Sequence, residues 1–115
     1  MAFSEEYADR VRMALRETTN VHEQKMFGSL GFMVNGHLTL GVGDGKDGSV
    51  IMVRVGKDSA DDYLDEPGAS TSVMGNKMMH GWIDLTPEAV ANDESLKKWV
   101  ARAVQFVETL PPKGQ

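Results

Sequence analysis

The feature that most constrains the fold is the segment of residues 25–42, in which two apolar runs flank an Asn35-Gly36 pair. Both residues of such a pair tolerate positive φ, which the tight turns of antiparallel hairpins require. Gly28 and Gly31 interrupt the first run, and glycine within a strand pattern indicates a bulge or a close approach of another backbone. The segment therefore predicts a strand, a glycine kink, a second strand and a hairpin to a third strand.

The register of this hairpin has two alternatives, because two loop lengths fit the same residues. A two-residue turn places Phe32 on the face of the sheet opposite to Leu38 and Leu40. A three-residue loop with a bulge instead places Leu38 and Leu40 on the face of Phe32. The first alternative makes both faces of the sheet apolar, so something beyond the helices would have to cover part of the second face.

The rest of the sheet is predicted from three later segments. Residues 50–55 form a nearly continuous apolar run, typical of a central strand, after a turn at residues 44–48. Residues 69–75 have a weak pattern and are predicted as a short edge strand, whereas residues 82–85 alternate clearly. Since turns this short cannot connect parallel neighbours, we predict an antiparallel sheet of about five strands.

The two ends of the chain have the clearest helical patterns. Ser4 is a good N-cap for an N-terminal helix whose apolar residues recur at helical spacing. Asn92 or Asp93 is predicted to cap a C-terminal helix. The apolar stripe of this second helix comprises Leu96, Trp99, Val100, Ala103, Val107 and Leu110.

A shorter helix between them completes the predicted α+β fold. It covers residues 57–66, with Asp58 or Ser59 as N-cap and Pro67-Gly68 as its end. The N-terminal and C-terminal amphipathic helices are expected to pack on the antiparallel sheet. We expect residues 1–115 to form a single domain, because 115 residues with 41% hydrophobic content suit one core.

Composition and charge disfavour several classes of function. Twelve Lys and Arg residues against seventeen Asp and Glu residues give a net charge of −5. Proteins that neutralise nucleic-acid phosphates usually carry a basic excess, so we expect no direct nucleic-acid binding. The absence of cysteine excludes thiolate chemistry and fits a cytoplasmic location. With an acidic N-terminus and no apolar run of membrane-spanning length, we expect no membrane association.

No group of residues indicates a catalytic or metal site. His22, His37 and His80 belong to three separate predicted elements and lack the spacing of metal ligands. The glycine-rich residues 43–48 lack the Gly-Lys-Ser/Thr end of a phosphate loop and the glutamate of a calcium loop. We therefore expect no enzymatic activity, no cofactor and no metal.

The predicted interaction surface comes from methionine, arginine and tryptophan on the less helix-covered face of the sheet. Alternation places Trp82 on the face opposite to Ile83 and Leu85. The chain contains eight Met residues, which fill irregular cores and also form adaptable contact surfaces. Trp and Arg are frequent anchors of protein interfaces. The predicted protein-contact residues are Met33, Met52, Arg54 and Trp82.

Four segments of the chain carry a resemblance that extends over nearly its whole length. In order they are Lys25-Met26-Phe27-Gly28 with Gly31-Phe32-Met33-Val34, Met52-Val53-Arg54-Val55-Gly56, Gly75 through Met78 to Gly81-Trp82, and Leu96…Trp99 with Leu110-Pro111-Pro112-Lys113. Together they resemble the TfoX/Sxy N-terminal domain family. The resemblance implies helices packed on an antiparallel sheet. The members that give the family its name regulate natural competence with other transcription factors and carry a second, helical domain.

Two functional hypotheses follow. The first is a non-enzymatic protein-interaction and regulatory module that forms a homodimer and, by the resemblance, contacts a transcription-related protein. The alternative is a small-ligand-binding protein or enzyme with a pocket near His80, Trp82 and Arg54, where a titratable group adjoins an aromatic ring and a cation.

Overall fold

The computed structural model describes residues 4–26, 29–45, 48–74 and 77–111. These residues form three helices and six strands. In chain order they are α1 (Glu5–Ala14), β1 (Val21–Met26), β2 (Ser29–Val34), β3 (His37–Gly45), β4 (Gly48–Arg54), α2 (Lys57–Tyr63), β5 (Ala69–Met74), β6 (Lys77–Leu85) and α3 (Asp93–Glu108). The α+β class is confirmed, with six strands instead of about five. The weakly patterned β5, predicted as a short edge strand, pairs along its whole length with β6.

All six strands belong to one antiparallel sheet in the order β1-β2-β3-β4-β6-β5. The core lies on one face of this sheet. A row of paired residues crosses its four central strands there, and none of them is exposed to solvent: Phe32, Leu40, Val53 and Ile83. Buried residues of all three helices belong to the same apolar cluster. The helices therefore cover the core face, as the amphipathic patterns of α1 and α3 predict.

The hairpin between β2 and β3 combines features of both predicted registers. Asn35 and Gly36 form the turn with φ of 54° and 83°. After two residue pairs the register shifts, so that Phe32 pairs with Leu40 and Thr39 is the extra, bulged residue. The turn thus has two residues, yet Leu40 lies on the core face with Phe32. The expectation that a two-residue turn and a bulge exclude each other is wrong.

The helix N-termini follow the predicted capping at two of three positions. The side-chain oxygens of Ser4 and Asn92 accept hydrogen bonds from backbone N–H groups three residues onward, at 3.2 and 2.8 Å. At α2 the prediction of Asp58 or Ser59 as cap is wrong, because Gly56 precedes the helix with φ of 88°. The chain leaves β4 through this left-handed residue, and the helix begins at Lys57, as the predicted range does, but ends at Tyr63, earlier than predicted.

Parts of three sequence expectations lie outside the described residues. They are the kink at Gly28, the middle of the turn at residues 44–48 and the end of the segment at residues 69–75. Within the described ranges, none of the helices combines the length and the apolar character needed to cross a bilayer.

Candidate functional site

The four predicted contact residues lie on the sheet face opposite to the core, where Phe106 of α3 also lies beside Arg54. Arg54 pairs with Trp82 across β4 and β6, and Met52 lies one pleat away on the same face. Met33 of β2 pairs with Leu38 of β3. The carbonyl oxygen of Leu38 lies 3.5 Å from Nη1 of Arg54. All four predicted residues are half-buried. The structure therefore brings them together on one surface, which we call the open face.

Arg54 stands out among the half-buried arginines because no carboxylate of the described residues forms an ion pair with it. Its guanidinium carbon lies 5.6 Å from the ring centroid of Phe106, and its only hydrogen bond among these residues is the long contact to Leu38. Each of the other half-buried arginines meets a carboxylate at 3.4 Å or less, namely Arg10, Arg12 and Arg102. Arg54 therefore keeps most of its five N–H donors available for another partner.

A cleft of about 570 Å³ opens beside Arg54, where β4, β6, the start of α2 and the end of α3 meet. We call it the β4–β6 cleft. Its lining includes His80 and Trp82, so the structure joins the three residues for which the sequence suggested a pocket. Phe106 also lines the cleft, although it was not among the residues predicted from the sequence. An aromatic residue outside the predicted stripe of α3 was the signal that could have identified it.

The cleft depends on an irregularity in β6. The register of β5 and β6 shifts so that residues 80–82 have no partner in β5. Gly81 adopts φ of 92°, and its carbonyl oxygen accepts hydrogen bonds from the N–H groups of Val55 and Gly56 at 2.9 and 3.1 Å. A Cβ atom at Gly81 would lie 3.2 Å from backbone atoms of both Gly56 and Lys57. Glycine at position 81 thus allows β6 to approach the start of α2.

The cleft carries local positive charge in an acidic chain. Arg54, Lys57 and His80 line it, whereas Asp58 is the acidic residue of the lining. In the described part of the chain, no carboxylate lies within ion-pair distance of these three basic side chains. The net charge of the whole chain is −5. Arg54 and Lys57 are therefore two cations of the cleft that no carboxylate of the described residues pairs with, and they are available to a negatively charged group.

Asp84 is a partly buried carboxylate on the open face, where it pairs with Met52 across β4 and β6. Burial raises the pKa of its carboxyl above the ordinary value of 3.8, and a hydrogen bond from Ser72 offsets part of this rise. Its Oδ1 atom is buried and has no hydrogen-bond partner among the described residues. Asp84 and Arg54 thus present opposite charges on the same face, because Asp84 lies opposite Met52 and Arg54 lies one pleat further along β4.

Replacing Asp84 with asparagine is expected to stabilise the fold at neutral pH, because the amide removes the cost of burying a charge. The raised pKa means that the folded state binds this proton more tightly than the unfolded state. The stability that depends on Asp84 is then complete below pH 3.8 and is lost as the pH rises through the raised pKa. Urea unfolding at a series of pH values should show that the free energy of unfolding falls less with rising pH in Asp84→Asn than in the parent. Asp61 is exposed, so the control Asp61→Asn should show the same pH dependence of the free energy of unfolding as the parent. The same pH dependence in Asp84→Asn as in the parent would contradict the raised pKa of Asp84.

Comparison with known proteins adds a family to this geometry. The family model of the TfoX N-terminal domain matches residues 13–107. No curated protein matches the chain. The matched range contains the four predicted contact residues and the irregular part of β6, as well as Phe106. Within the described residues, no three His, Asp or Glu side chains come together as a metal site.

Proposed function

The chain belongs to the TfoX N-terminal domain family, and we propose that it is a non-enzymatic protein-interaction module with a regulatory role related to competence. The observation that supports this role is the open face, where half-buried Met33, Met52 and Trp82 lie on the side of the sheet away from the helices. The family is not known as enzymatic. As part of the proposal, residues 1–115 act as one domain in the cytoplasm, which fits the absence of cysteine.

The occupant that we propose for the open face is a second copy of the chain. Two-fold symmetry places the same surface on both sides of an interface, so a self-complementary surface must offer both members of each contact. Arg54 lacks a carboxylate partner among the described residues, and Asp84 on the same face has an unpartnered buried oxygen. In a two-fold dimer, Arg54 of each copy can meet Asp84 of the other while the methionines form the apolar centre.

Replacing Met33 with lysine is expected to weaken self-association by at least tenfold, because burying an ammonium group in an apolar interface costs more than about 1.4 kcal/mol. Sedimentation equilibrium over a range of protein concentrations measures this effect. Met13 on α1 is 59% exposed and lies outside the open face, so Met13→Lys is the matched control and should associate like the parent. A parent chain that stays monomeric at the highest concentration would contradict the dimer.

The regulatory role requires a further partner, which we expect among transcription proteins because the name-giving members of the family act with transcription factors. Affinity purification of the tagged chain from a gentle lysate of its own host tests this expectation. A reproducible transcription-related partner would support it. Recovery of the chain with itself alone would contradict it and leave the dimer as the function of the open face.

The β4–β6 cleft favours a second candidate function, the binding of a small molecule. Its volume of about 570 Å³ lies within the range of ordinary ligand pockets. Arg54, His80 and Trp82 supply a cation, a titratable ring and an aromatic wall at one place. A metabolite library screened by thermal shift tests this function, because a ligand that binds only the folded state raises the melting temperature. Failure of every compound to stabilise the chain would reject it.

A further inference from the structure

We infer that the β4–β6 cleft binds a small molecule in which an anionic group is joined to a planar ring, an inference that rests on the small-molecule function proposed above. The anionic group is assigned to the end of the cleft near Arg54 and Lys57. The planar ring is assigned to the aromatic walls formed by Trp82 and Phe106. A nucleoside phosphate and an aromatic carboxylate share this chemistry, and their binding can be measured separately.

The requirement for an anion follows from the state of Arg54. A half-buried guanidinium loses part of its hydration and is normally compensated by a carboxylate, as at Arg10 and Arg102. Among the described residues, Arg54 makes a long contact, 3.5 Å, to a backbone carbonyl and lies 5.6 Å from the ring centroid of Phe106, and neither group carries a negative charge. Its planar fork of donors matches the oxygens of a carboxylate or a phosphate. Lys57 and His80 in the same lining add further donors for such a group.

The requirement for a ring follows from the two aromatic residues of the lining. Phe106 is held in place by its contact with Gly56, where an added Cβ atom would lie 2.5 Å from Cε1 of the ring. Trp82 is half-buried and projects from the irregular part of β6. Two aromatic side chains beside a cation form a site that can stack on a planar ligand group. A simple inorganic anion would leave both of these surfaces in contact with water.

Isothermal titration calorimetry on the intact chain tests the ligand class with four probes. Adenosine 5′-diphosphate and 4-hydroxybenzoate each contain a ring and an anionic group, whereas inorganic pyrophosphate lacks the ring and adenosine lacks the charge. We expect at least one of the first two probes to bind about tenfold more tightly than both pyrophosphate and adenosine. Equal affinity for a ring-bearing anion and for its ring-free or uncharged counterpart would overturn the inference.

Matched variants locate the binding site. Arg54→Gln and Lys57→Ala are each expected to weaken binding of the ring-bearing anion about tenfold. The exposed residues Arg16 and Lys97 lie outside this lining, so Arg16→Gln and Lys97→Ala remove the same charges and should bind like the parent. Unchanged binding in both Arg54→Gln and Lys57→Ala would overturn the inference.

Two further outcomes separate this inference from the functions on which it rests. A neutral compound that binds in the thermal-shift screen and depends on Trp82, without binding of either ring-bearing anion, would overturn the ligand class and retain the cleft as a site. Failure of all compounds would overturn both. Because Arg54 also contributes to the proposed dimer, the titration is repeated with Met33→Lys, in which the cleft is intact and binding is expected to persist.

Discussion

Replacing Trp99 with alanine is expected to lower the free energy of unfolding by about 3–5 kcal/mol. Trp99 is 1% exposed and is among the largest fully buried side chains of the described residues. The rings of Trp99 and Tyr63 form a T-shaped pair with centroids 5.8 Å apart, and the guanidinium carbon of Arg102 lies 4.6 Å from the Trp99 centroid. The substitution therefore leaves a cavity in the core and also removes one of the contacts that join α2 to α3, while the contact of Arg102 with Tyr63 remains.

The second tryptophan provides the matched control, because the chain contains two Trp residues in contrasting environments. Trp82→Ala is expected to lower the free energy of unfolding by about 1 kcal/mol, since the side chain is only half-buried. The same substitution is expected to abolish ligand binding in the β4–β6 cleft. Urea unfolding followed by circular dichroism measures both stabilities. Where Trp99→Ala does not fold, Trp99→Phe keeps a ring and should show a smaller loss that can be measured. Equal losses for the alanine variants at positions 82 and 99 would contradict the assignment of Trp99 to the core.

Replacing Gly81 with alanine is expected to lower the free energy of unfolding by about 2–4 kcal/mol. Gly81 has φ of 92°, a backbone conformation that residues with a side chain rarely adopt. The new methyl group would also lie 3.2 Å from the backbone of Gly56 and Lys57, which cannot move aside as a flexible side chain can. The new methyl group pushes β6 away from the start of α2. We therefore expect Gly81→Ala to weaken ligand binding in the cleft as well as to destabilise the fold.

Gly41→Ala is the matched control for this substitution. A Cβ atom at Gly41 would lie 3.0 Å from Cε of Met52, the mobile end of a flexible side chain, and Gly41 has no positive φ. The expected loss is below about 1 kcal/mol, because Met52 can adopt another rotamer. Urea unfolding of both variants makes the comparison, and ligand titration checks that only Gly81→Ala affects the cleft. Similar stabilities of the two variants would show that the backbone at Gly81 is not required.

Much of the fold was predictable because its helices and strands follow from the spacing of apolar residues within short segments. Helical spacing in α3 places Leu96, Trp99 and Val100 on the buried stripe. Alternation along β6 correctly separates buried Ile83 from half-buried Trp82. The family was also predictable, because its signature segments are local and their order along the chain is preserved, and the family model confirms it. The residues of the open face could be chosen by the same alternation, and their role as contacts stays a prediction.

What the sequence alone determined is therefore each element and the side of it that is buried, because both depend on neighbours within a few residues. The tertiary structure alone decided the two irregular registers, at Thr39 and at residues 80–82. A register depends on how two strands, their turn and the helices above them fit together, and no single strand contains that information. The cleft has the same origin, since Arg54 and Phe106 lie 52 positions apart and meet only in the folded chain. That no carboxylate of the described residues pairs with Arg54 is likewise visible only in the folded chain.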